Sequence, residues 1–189
     1  VRSIAEAEGR IDVLALAAGG VRGQIGRPIE EISEDDWHAL FRANVDGAFW
    51  LAQAAAPHMK KAGWGRIVTI SSGAGLRPRL TGIQAYSAAK HALVGFTRAL
   101  ALEVAKTGVT VNAVCPGFTD TGVVRDAVRA ISEQSARNES EARQTLIYFN
   151  PQQRFVEPEE VASAVLWLCS PGSESMSGQS LAVAGGEVT

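Results

Sequence analysis

Residues 66–114 read RIVTISSGAGLRPRLTGIQAYSAAKHALVGFTRALALEVAKTGVTVNAV, and this stretch decides the fold. Arg66 to Ile70 and Val109 to Val114 are short apolar runs, which are typical of buried parallel strands. Between them a helix is predicted from about Ala85 to Lys106, and Gly108 is a typical residue to end it. A strand, a helix and a strand in this order predict a parallel βαβ unit.

The same alternation continues on both sides of this unit. Upstream, Ile11 to Leu16 predicts another buried strand, which is followed by a Gly-rich loop and by a helix from Ser33 to about Met59. Downstream, Thr121 to Arg154 is charged, locally helical in pattern and poorest in core signal. A helix from Pro158 and a last strand at Ser180 to Ala184 follow. The pattern predicts an α/β fold in one domain, a doubly wound, Rossmann-like parallel sheet.

In such sheets ligands bind beyond the carboxyl ends of the strands, so residues after each apolar run are candidates for a site. Tyr86 and Lys90 are four residues apart, which places them on one face of a helix. A nearby ammonium favours the ionised phenol and would suit Tyr86 to proton transfer. A surface Tyr and Lys on an amphipathic helix is the alternative for an isolated pair of this kind.

Two further polar residues weaken that alternative. Ser72 follows the Arg66 to Ile70 run, where its hydroxyl could bond a substrate carbonyl. Asn44 lies inside a predicted helix, a position for which asparagine has low propensity.

Together these residues resemble the short-chain dehydrogenase/reductase family. The matching segments are Asn44 in FRANVDG, Ser72 in GRIVTISS, Tyr86 and Lys90 in YSAAK, and Pro116-Gly117 in VTVNAVCPGFTDT. The resemblance covers nearly the whole chain, from about Gly9. Two segments depart from the family pattern: Leu16-Ala17-Ala18-Gly19 keeps only the last two residues of Asn-Asn-Ala-Gly, and Val183-Ala184-Gly185-Gly186 replaces Val-Asp-Gly-Gly.

The resemblance implies a role for each matching residue. Tyr86 is implied as the general acid/base, Ser72 as the group that orients the reacting oxygen, Lys90 as the residue that lowers the Tyr86 pKa and holds the cofactor ribose, and Asn44 as the anchor of a proton-relay water. The implied cofactor is NAD or NADP, and its contacts are expected at Ala18, Gly19, Tyr86, Lys90, Pro116, Gly117, Phe118, Thr119 and Thr121. Residues 118–157 are implied to cover the substrate.

The chain opens at Val1 within a helical pattern, and the family's Gly-rich turn would precede it. We therefore expect residues 1–189 to be the C-terminal two-thirds to three-quarters of a single dinucleotide-binding catalytic domain. The missing units would amount to roughly 60 to 75 residues. On this expectation the Ile11 to Leu16 strand becomes an apolar edge. An unrecorded N-terminus is favoured over a true truncation.

Two other features have competing interpretations. Gly19, Gly23 and Gly26 could suggest a phosphate-binding turn, but no helix is predicted directly after them, so a connecting loop is favoured. Four arginines in the covering segment could meet a phosphate-bearing substrate such as a coenzyme A thioester, or could form a solvated helix face, which is favoured because acidic residues alternate with them. These are Arg125, Arg129, Arg137 and Arg143.

Composition narrows the function classes. Eighteen basic and 20 acidic residues give a net charge of −2, which argues against nucleic acid or an anionic membrane as the main partner. No apolar run approaches a membrane span or a secretory signal. His38, His58 and His91 have no metal-ligand spacing, and Cys115 and Cys169 fit a packing role. We expect a cytoplasmic protein without a metal.

The resulting hypothesis is an oxidoreductase that transfers hydride reversibly between NAD(P)(H) and a secondary alcohol or ketone. The segments 109–121 and 150–188 resemble those of bacterial 3-oxoacyl reductases and 3-hydroxyacyl-CoA dehydrogenases, which implies a 3-hydroxyacyl or 3-oxoacyl thioester as substrate. Resemblance also implies a homo-oligomer, commonly a tetramer. The alternative from another class is a non-catalytic scaffold, or an inactive fragment, that has lost the cofactor-binding half.

Overall fold

A four-stranded parallel sheet forms the centre of the computed structural model, which describes residues 1–23 and 25–188. Gln24, in the predicted Gly-rich loop, and Thr189 lie outside the described residues. The strands occur in chain order across the sheet. They are β1 (Val13–Leu16), β2 (Gly65–Ile70), β3 (Val109–Pro116) and β4 (Ser180–Val183).

Helices connect these strands and cover both faces of the sheet. The helices of the described part of the chain are α1 (Arg2–Glu8), α2 (Glu34–Phe41), α3 (Gly47–Ala62), α4 (Gln84–Val104), α5 (Gly122–Gln134), α6 (Glu139–Ile147) and α7 (Pro158–Cys169). Short 3₁₀ turns lie at Ile29–Glu31, Gly73–Gly75 and Ala105–Thr107.

The core is divided by the sheet into two layers. On one face α3 and α4 pack against the strands, and their contacts include buried Met59, Leu93 and Val111. On the other face α7 packs against β2, β3 and β4 around Val68, Val114 and Leu168. The structure confirms the predicted doubly wound parallel sheet.

Strands β2 and β3 are central and almost wholly buried, as their continuous apolar runs predict. The register pairs Ile67 with Val111 and Val68 with Asn112. Among the strands that the structure describes, β1 pairs with β2 alone, so it is an edge strand. Val13 on this edge is 46% exposed, in agreement with the expected apolar edge.

The predicted helix from Ser33 to about Met59 is confirmed, and it contains a π-helical turn. Ser33 caps α2 as expected, since its hydroxyl accepts a hydrogen bond from the Asp36 amide at 3.1 Å. A π-helical turn at Arg42–Asp46 joins α2 to α3 without a break in the helix. The sequence did not predict this turn, because a π turn inserts one residue without changing the apolar periodicity enough to reveal it.

The charged segment after β3 has more core than its sequence predicts. Helices α5 and α6 pack against each other and enclose a separate apolar cluster. Its buried members are Val124, Ala127, Val128, Ala142, Leu146 and Phe155. The predicted helical character is confirmed, but the weak core signal was misleading because the apolar residues are shared between two short helices.

No helix within residues 1–23 and 25–188 has both the length and the apolar character needed to cross a membrane.

Candidate active site

A cavity of about 730 Å³ lies beyond the carboxyl ends of the parallel strands. This is the place that the doubly wound fold predicts for a ligand. Most of the predicted site residues line it: Gly19, Ser72, Tyr86, Lys90, Pro116, Gly117, Phe118, Thr119 and Thr121. Ala18 and Asn44 do not line the cavity. Ala18 is exposed beside it, and its neighbour Ala17 lines the wall instead.

Asn44 lies behind the cavity wall, in the π-helical turn, and is 1% exposed. Its side-chain amide donates to the backbone carbonyls of Leu40 at 2.9 Å and Gly20 at 3.0 Å, and its Oδ1 accepts from the Gly20 amide at 3.0 Å. The side chain thus ties the loop after β1 to the helix pair α2–α3. A Cβ at Gly19 would lie 2.5 Å from Asn44 Oδ1 and 3.4 Å from Lys90 Nζ, so the loop requires glycine there.

Ser72 and Tyr86 come together from different elements. Ser72 follows β2 and caps the 3₁₀ turn Gly73–Gly75, where its hydroxyl accepts from the Ala74 amide at 3.1 Å. Tyr86 is in the first turn of α4, and the Ser72 hydroxyl lies near enough to its phenol to lower the phenol pKa. Ser87 holds these elements in place, since its hydroxyl donates to the Ala74 carbonyl at 2.8 Å.

Lys90 lies one helical turn after Tyr86 and is 4% exposed. Its Nζ donates to the Ile70 carbonyl at 3.0 Å, at the end of β2, and lies 5.6 Å from the centroid of the Tyr86 ring. The Ser71 hydroxyl donates to the Lys90 carbonyl at 2.9 Å, which joins the same helical turn to the strand. The ammonium therefore lies at the carboxyl end of β2, at the wall of the cavity.

Burial is the largest cause of the pKa shifts of Lys90 and Tyr86. It lowers the pKa of Lys90 from 10.5 to about 8, against an opposing effect of the neighbouring Cys115. It also raises the pKa of Tyr86 above its usual value of 10.0, while the hydrogen bond with Ser72 acts in the opposite direction. The expected lowering of the Tyr86 pKa by Lys90 is not what the structure gives, because the loss of solvent around the phenol outweighs the neighbouring groups.

The loop after β3 forms the opposite wall. The Gly117 amide donates to the Val183 carbonyl of β4 at 3.0 Å, and the Thr119 hydroxyl donates to the Gly117 carbonyl at 3.0 Å. Thr119 also forms a parallel bridge with Val156, and the Val156 amide donates to the Phe118 carbonyl at 2.9 Å. These bonds fix the backbone from Pro116 to Thr121 against the sheet and the covering segment.

Sequence reasoning missed two charged residues that line the cavity, Arg79 and Glu187. Arg79 is in the loop between Ser72 and Tyr86, and Glu187 follows β4 and is 4% exposed. Burial raises the pKa of the Glu187 carboxyl, against hydrogen bonding from the Phe118 amide and the charge of Arg79. The sequence signal that could have identified Glu187 is its position directly after Gly185-Gly186, beyond the last strand.

The structure also bears on the competing interpretations of the Gly-rich loop and of the four arginines. The turn at Gly19 to Gly26 is followed by the short 3₁₀ turn Ile29–Glu31 and only then by α2, so the connecting loop is confirmed over a phosphate-binding helix start. In the covering segment Arg143 pairs with Asp120 at 2.9 Å, and Arg125 lies 3.9 Å from the same carboxylate. These two exposed pairs agree with a solvated helix face.

The cysteines and histidines have simple environments. Cys115 is buried in β3 beside Val94 and Ala113, and Cys169 is half-buried at the end of α7; both are free thiols. Over residues 1–23 and 25–188, no group of three or more His, Cys, Asp or Glu side chains is arranged to hold a metal ion.

The chain is similar to known proteins over its whole length. The family described as Enoyl-(Acyl carrier protein) reductase matches residues 1–187. The D-beta-hydroxybutyrate dehydrogenase of Rhizobium meliloti (strain 1021) is 35% identical over 97% of this chain and 70% of its own length. A putative ketoacyl reductase of Streptomyces coelicolor is 37% identical over 98% of this chain and 70% of its own length.

A solved structure has the same fold. A crystal structure of an actinorhodin polyketide ketoreductase variant with NADPH superimposes with a TM-score of 0.91 at 35% identity, covering 100% of this chain and 71% of that one. The chain thus spans about 70% of the length of these relatives. The family match, the relatives and the site geometry agree with the resemblance in the motifs, and the chain belongs to the short-chain dehydrogenase/reductase family of oxidoreductases.

Proposed function

We propose that this chain catalyses reversible hydride transfer between NAD(P)(H) and a 3-hydroxyacyl or 3-oxoacyl thioester. The observation that carries the proposal is the meeting of Ser72, Tyr86 and Lys90 at one wall of the cavity, with the Pro116–Thr121 loop opposite. A hydroxyl, a phenol and an ammonium placed together supply what proton exchange with an alcohol or ketone oxygen needs.

The residues present fit a nicotinamide cofactor. Gly19 and Gly117 line the cavity, and Lys90 offers a buried ammonium beside Gly19. The polyketide ketoreductase similar to this chain is described with NADPH. Lys90 and Tyr86 would hold the ribose, and the cavity-lining residues Gly19 and Pro116 to Thr121, with Ala18 next to them, would contact the rest of the nicotinamide half. When bound, the cofactor supplies or accepts the hydride.

Tyr86 would exchange the proton. Because burial raises its pKa, Tyr86 is a protonated phenol at neutral pH and can donate to the oxygen of a ketone that is being reduced. Ser72 would hydrogen-bond the same oxygen and orient it toward the phenol. The nearby Lys90 ammonium would stabilise the phenolate that remains, and Asn44 would keep the adjacent loop in position and anchor a water for proton relay. In the direction of alcohol oxidation the phenolate is required, so that direction is favoured by higher pH.

The relatives support the acyl substrate. Those similar to this chain are described as acting on hydroxybutyrate, on ketoacyl groups and, in Allochromatium vinosum, on acetoacetyl-CoA. In this proposal residues 118–157 cover the acyl chain. A homo-oligomer, a tetramer as the family resemblance implies, and a cytoplasmic location complete the proposal, with neither nucleic acid nor membrane as a partner.

Turnover by the purified protein tests this proposal. The thioester of 3-oxobutanoate with N-acetylcysteamine is added with NADH or NADPH, and the absorbance of the reduced nicotinamide is followed. We expect its consumption to depend on the thioester and to match the 3-hydroxy product formed. No consumption with either cofactor, in protein whose circular dichroism shows the folded α/β spectrum, would contradict the proposal and favour a non-catalytic scaffold or an inactive fragment.

A further inference from the structure

Half-buried Arg79 and buried Glu187 bring opposite charges to the end of the cavity next to Ser72. An Arg79 Nη donates to the Glu187 backbone carbonyl, and the guanidinium faces the carboxylate closely enough to affect its pKa. Leu80, next to Arg79, packs against the apolar cluster of α5 and α6, which holds this loop in place. The pair is thus fixed from two sides of the cavity.

The Glu187 carboxylate has a space formed for it by two glycines. A Cβ at Gly117 would lie 2.5 Å from Oε2, and a Cβ at Gly73 would lie 3.6 Å from Oε1. The Phe118 amide lies near enough to the carboxylate to lower its pKa. Because Gly73 follows Ser72 directly, this space places the carboxylate beside the oxygen-binding end of the site.

Both side chains have hydrogen-bonding atoms without a partner. Arg79 Nε and Glu187 Oε2 are buried and make no hydrogen bond within the protein. An unmet buried donor and an unmet buried acceptor both destabilise the folded protein. Both residues line a cavity whose wall is otherwise mainly apolar, so a polar group of the substrate would satisfy them.

The charge of the pair selects the kind of group. A free carboxylate would be attracted by Arg79, but it would lie next to the Glu187 carboxylate, and two carboxylates in one desolvated site repel each other. A neutral oxygen, such as a thioester carbonyl, accepts from Arg79 without that repulsion. A neighbouring N–H or hydroxyl of the same substrate can donate to Glu187.

Resting on the proposed function, we propose that Arg79 and Glu187 are specificity-determining residues that bind the thioester end of the substrate and exclude the free 3-hydroxy or 3-oxo acid. The reacting oxygen is then held by Ser72 and Tyr86, and the second oxygen of the substrate by Arg79. Glu187 both accepts a hydrogen bond and repels the unesterified acid.

Equilibrium binding tests the pair without depending on turnover. Isothermal titration calorimetry at neutral pH compares two ligands, 3-hydroxybutanoate and its N-acetylcysteamine thioester, on the wild-type protein. We expect the thioester to bind at least about tenfold more tightly, as expected for about 1.4 kcal/mol of discrimination. Equal affinities, tighter binding of the free acid, or no binding of either ligand would overturn the proposal.

Two variants then assign the discrimination to its residues. Glu187→Gln keeps the size of the side chain and removes its charge, so the preference for the thioester should fall by about tenfold, chiefly through tighter binding of the acid. Arg79→Gln should weaken thioester binding by about tenfold. The matched controls Glu8→Gln and Arg2→Gln, both exposed on α1, should leave both affinities unchanged.

The outcomes separate this inference from the proposed function. A preference ratio that Glu187→Gln leaves unchanged, in a variant with the wild-type melting temperature, contradicts the specificity pair even when the wild-type enzyme turns over. Conversely, loss of the preference in a protein that oxidises no cofactor supports the pair and counts against the reaction. If Glu187→Gln fails to fold, Glu187→Asp is tested instead. This variant keeps the charge but shortens the side chain by one methylene group, and it must weaken thioester binding for the inference to stand.

Discussion

Residues 65–116 and residues 118–157 both line the cavity, but they are built differently. The first region runs through the two central strands and α4, and its functional side chains are fixed to sheet backbone, as Lys90 is to the Ile70 carbonyl. The second consists of two short helices on their own apolar cluster, with exposed arginines outside. On the proposed function, the chemistry depends on the first region and enclosure of the substrate on the second.

Ser72→Ala should have a very large effect on activity and a small one on stability. Its hydroxyl lies near enough to the Tyr86 phenol to affect the phenol pKa, and it is the predicted donor to the reacting oxygen. Loss of one such preorganised donor typically costs about 10²- to 10³-fold in turnover. Steady-state kinetics should show a fall in kcat of this size, while Ser140→Ala on the exposed face of α6 should match the wild type. An unchanged kcat would separate Ser72 from the chemistry.

Lys90→Met should reduce turnover by about 10²-fold and yet stabilise the protein at neutral pH. The fall of the Lys90 pKa from 10.5 to about 8 is equivalent to about 3 kcal/mol, which is the cost of burying the charged form. Removing the charge should recover part of it, about 1–3 kcal/mol. Urea unfolding of this variant and of Lys106→Met, an exposed control, measures the difference.

The same lysine predicts a pH dependence with a definite sign. Between pH 8 and 10.5 the unfolded chain binds the Lys90 proton and the folded protein does not, so its contribution to the free energy of unfolding rises with pH. The difference in stability between Lys90→Met and the wild type should therefore shrink as pH increases from 7.5 to about 9.5. A constant difference over this range would mean that the ammonium is not desolvated in the folded protein.

Leu146→Ala tests the second region. Leu146 is fully buried in the cluster shared by α5 and α6, so its truncation should cost about 2–4 kcal/mol of stability. On the proposed function, this cluster positions residues 118–157 over the substrate and does not position Tyr86. KM should therefore rise severalfold more than kcat falls. Leu102→Ala, at a side chain that is 81% exposed, is the matched control. A larger fall in kcat than rise in KM would contradict the division between the two regions.

Arg143→Gln should have the smallest effect. The Arg143–Asp120 pair is 2.9 Å apart, but the two side chains are 44% and 32% exposed, and such pairs contribute at most about 1 kcal/mol. Thermal unfolding should show a minor loss that diminishes at high salt. A loss well above this, or a clear loss of thioester affinity, would indicate that the arginine contacts the substrate rather than solvent.

The comparison also explains what the sequence could and could not reveal. The region from Arg66 to Val114 was predictable because buried parallel strands have continuous apolar runs, and because Tyr86 and Lys90 keep helical spacing. The α5–α6 cluster was not, since its apolar residues are divided between two helices and meet only in three dimensions.

Two features of the site could not be predicted because they depend on contacts between residues that are distant in sequence. The pair of Arg79 and Glu187 joins residues 108 positions apart, and no local pattern brings them together. The raised pKa of Tyr86 depends on how much surface the folded chain removes from water, which the spacing of Tyr86 and Lys90 does not contain. The identity of the reacting residues was therefore a prediction from sequence, and their electrostatics was not.

The most direct test of the central claim is the turnover of Tyr86→Phe beside Tyr148→Phe. The chain has two tyrosines, and Tyr148 is 76% exposed, so it provides a matched loss of one hydroxyl. We predict that Tyr86→Phe lowers kcat for thioester reduction by about 10³-fold with an unchanged melting temperature, and that Tyr148→Phe retains wild-type kcat. A Tyr86→Phe variant with kcat within about threefold of the wild type would contradict proton transfer by Tyr86.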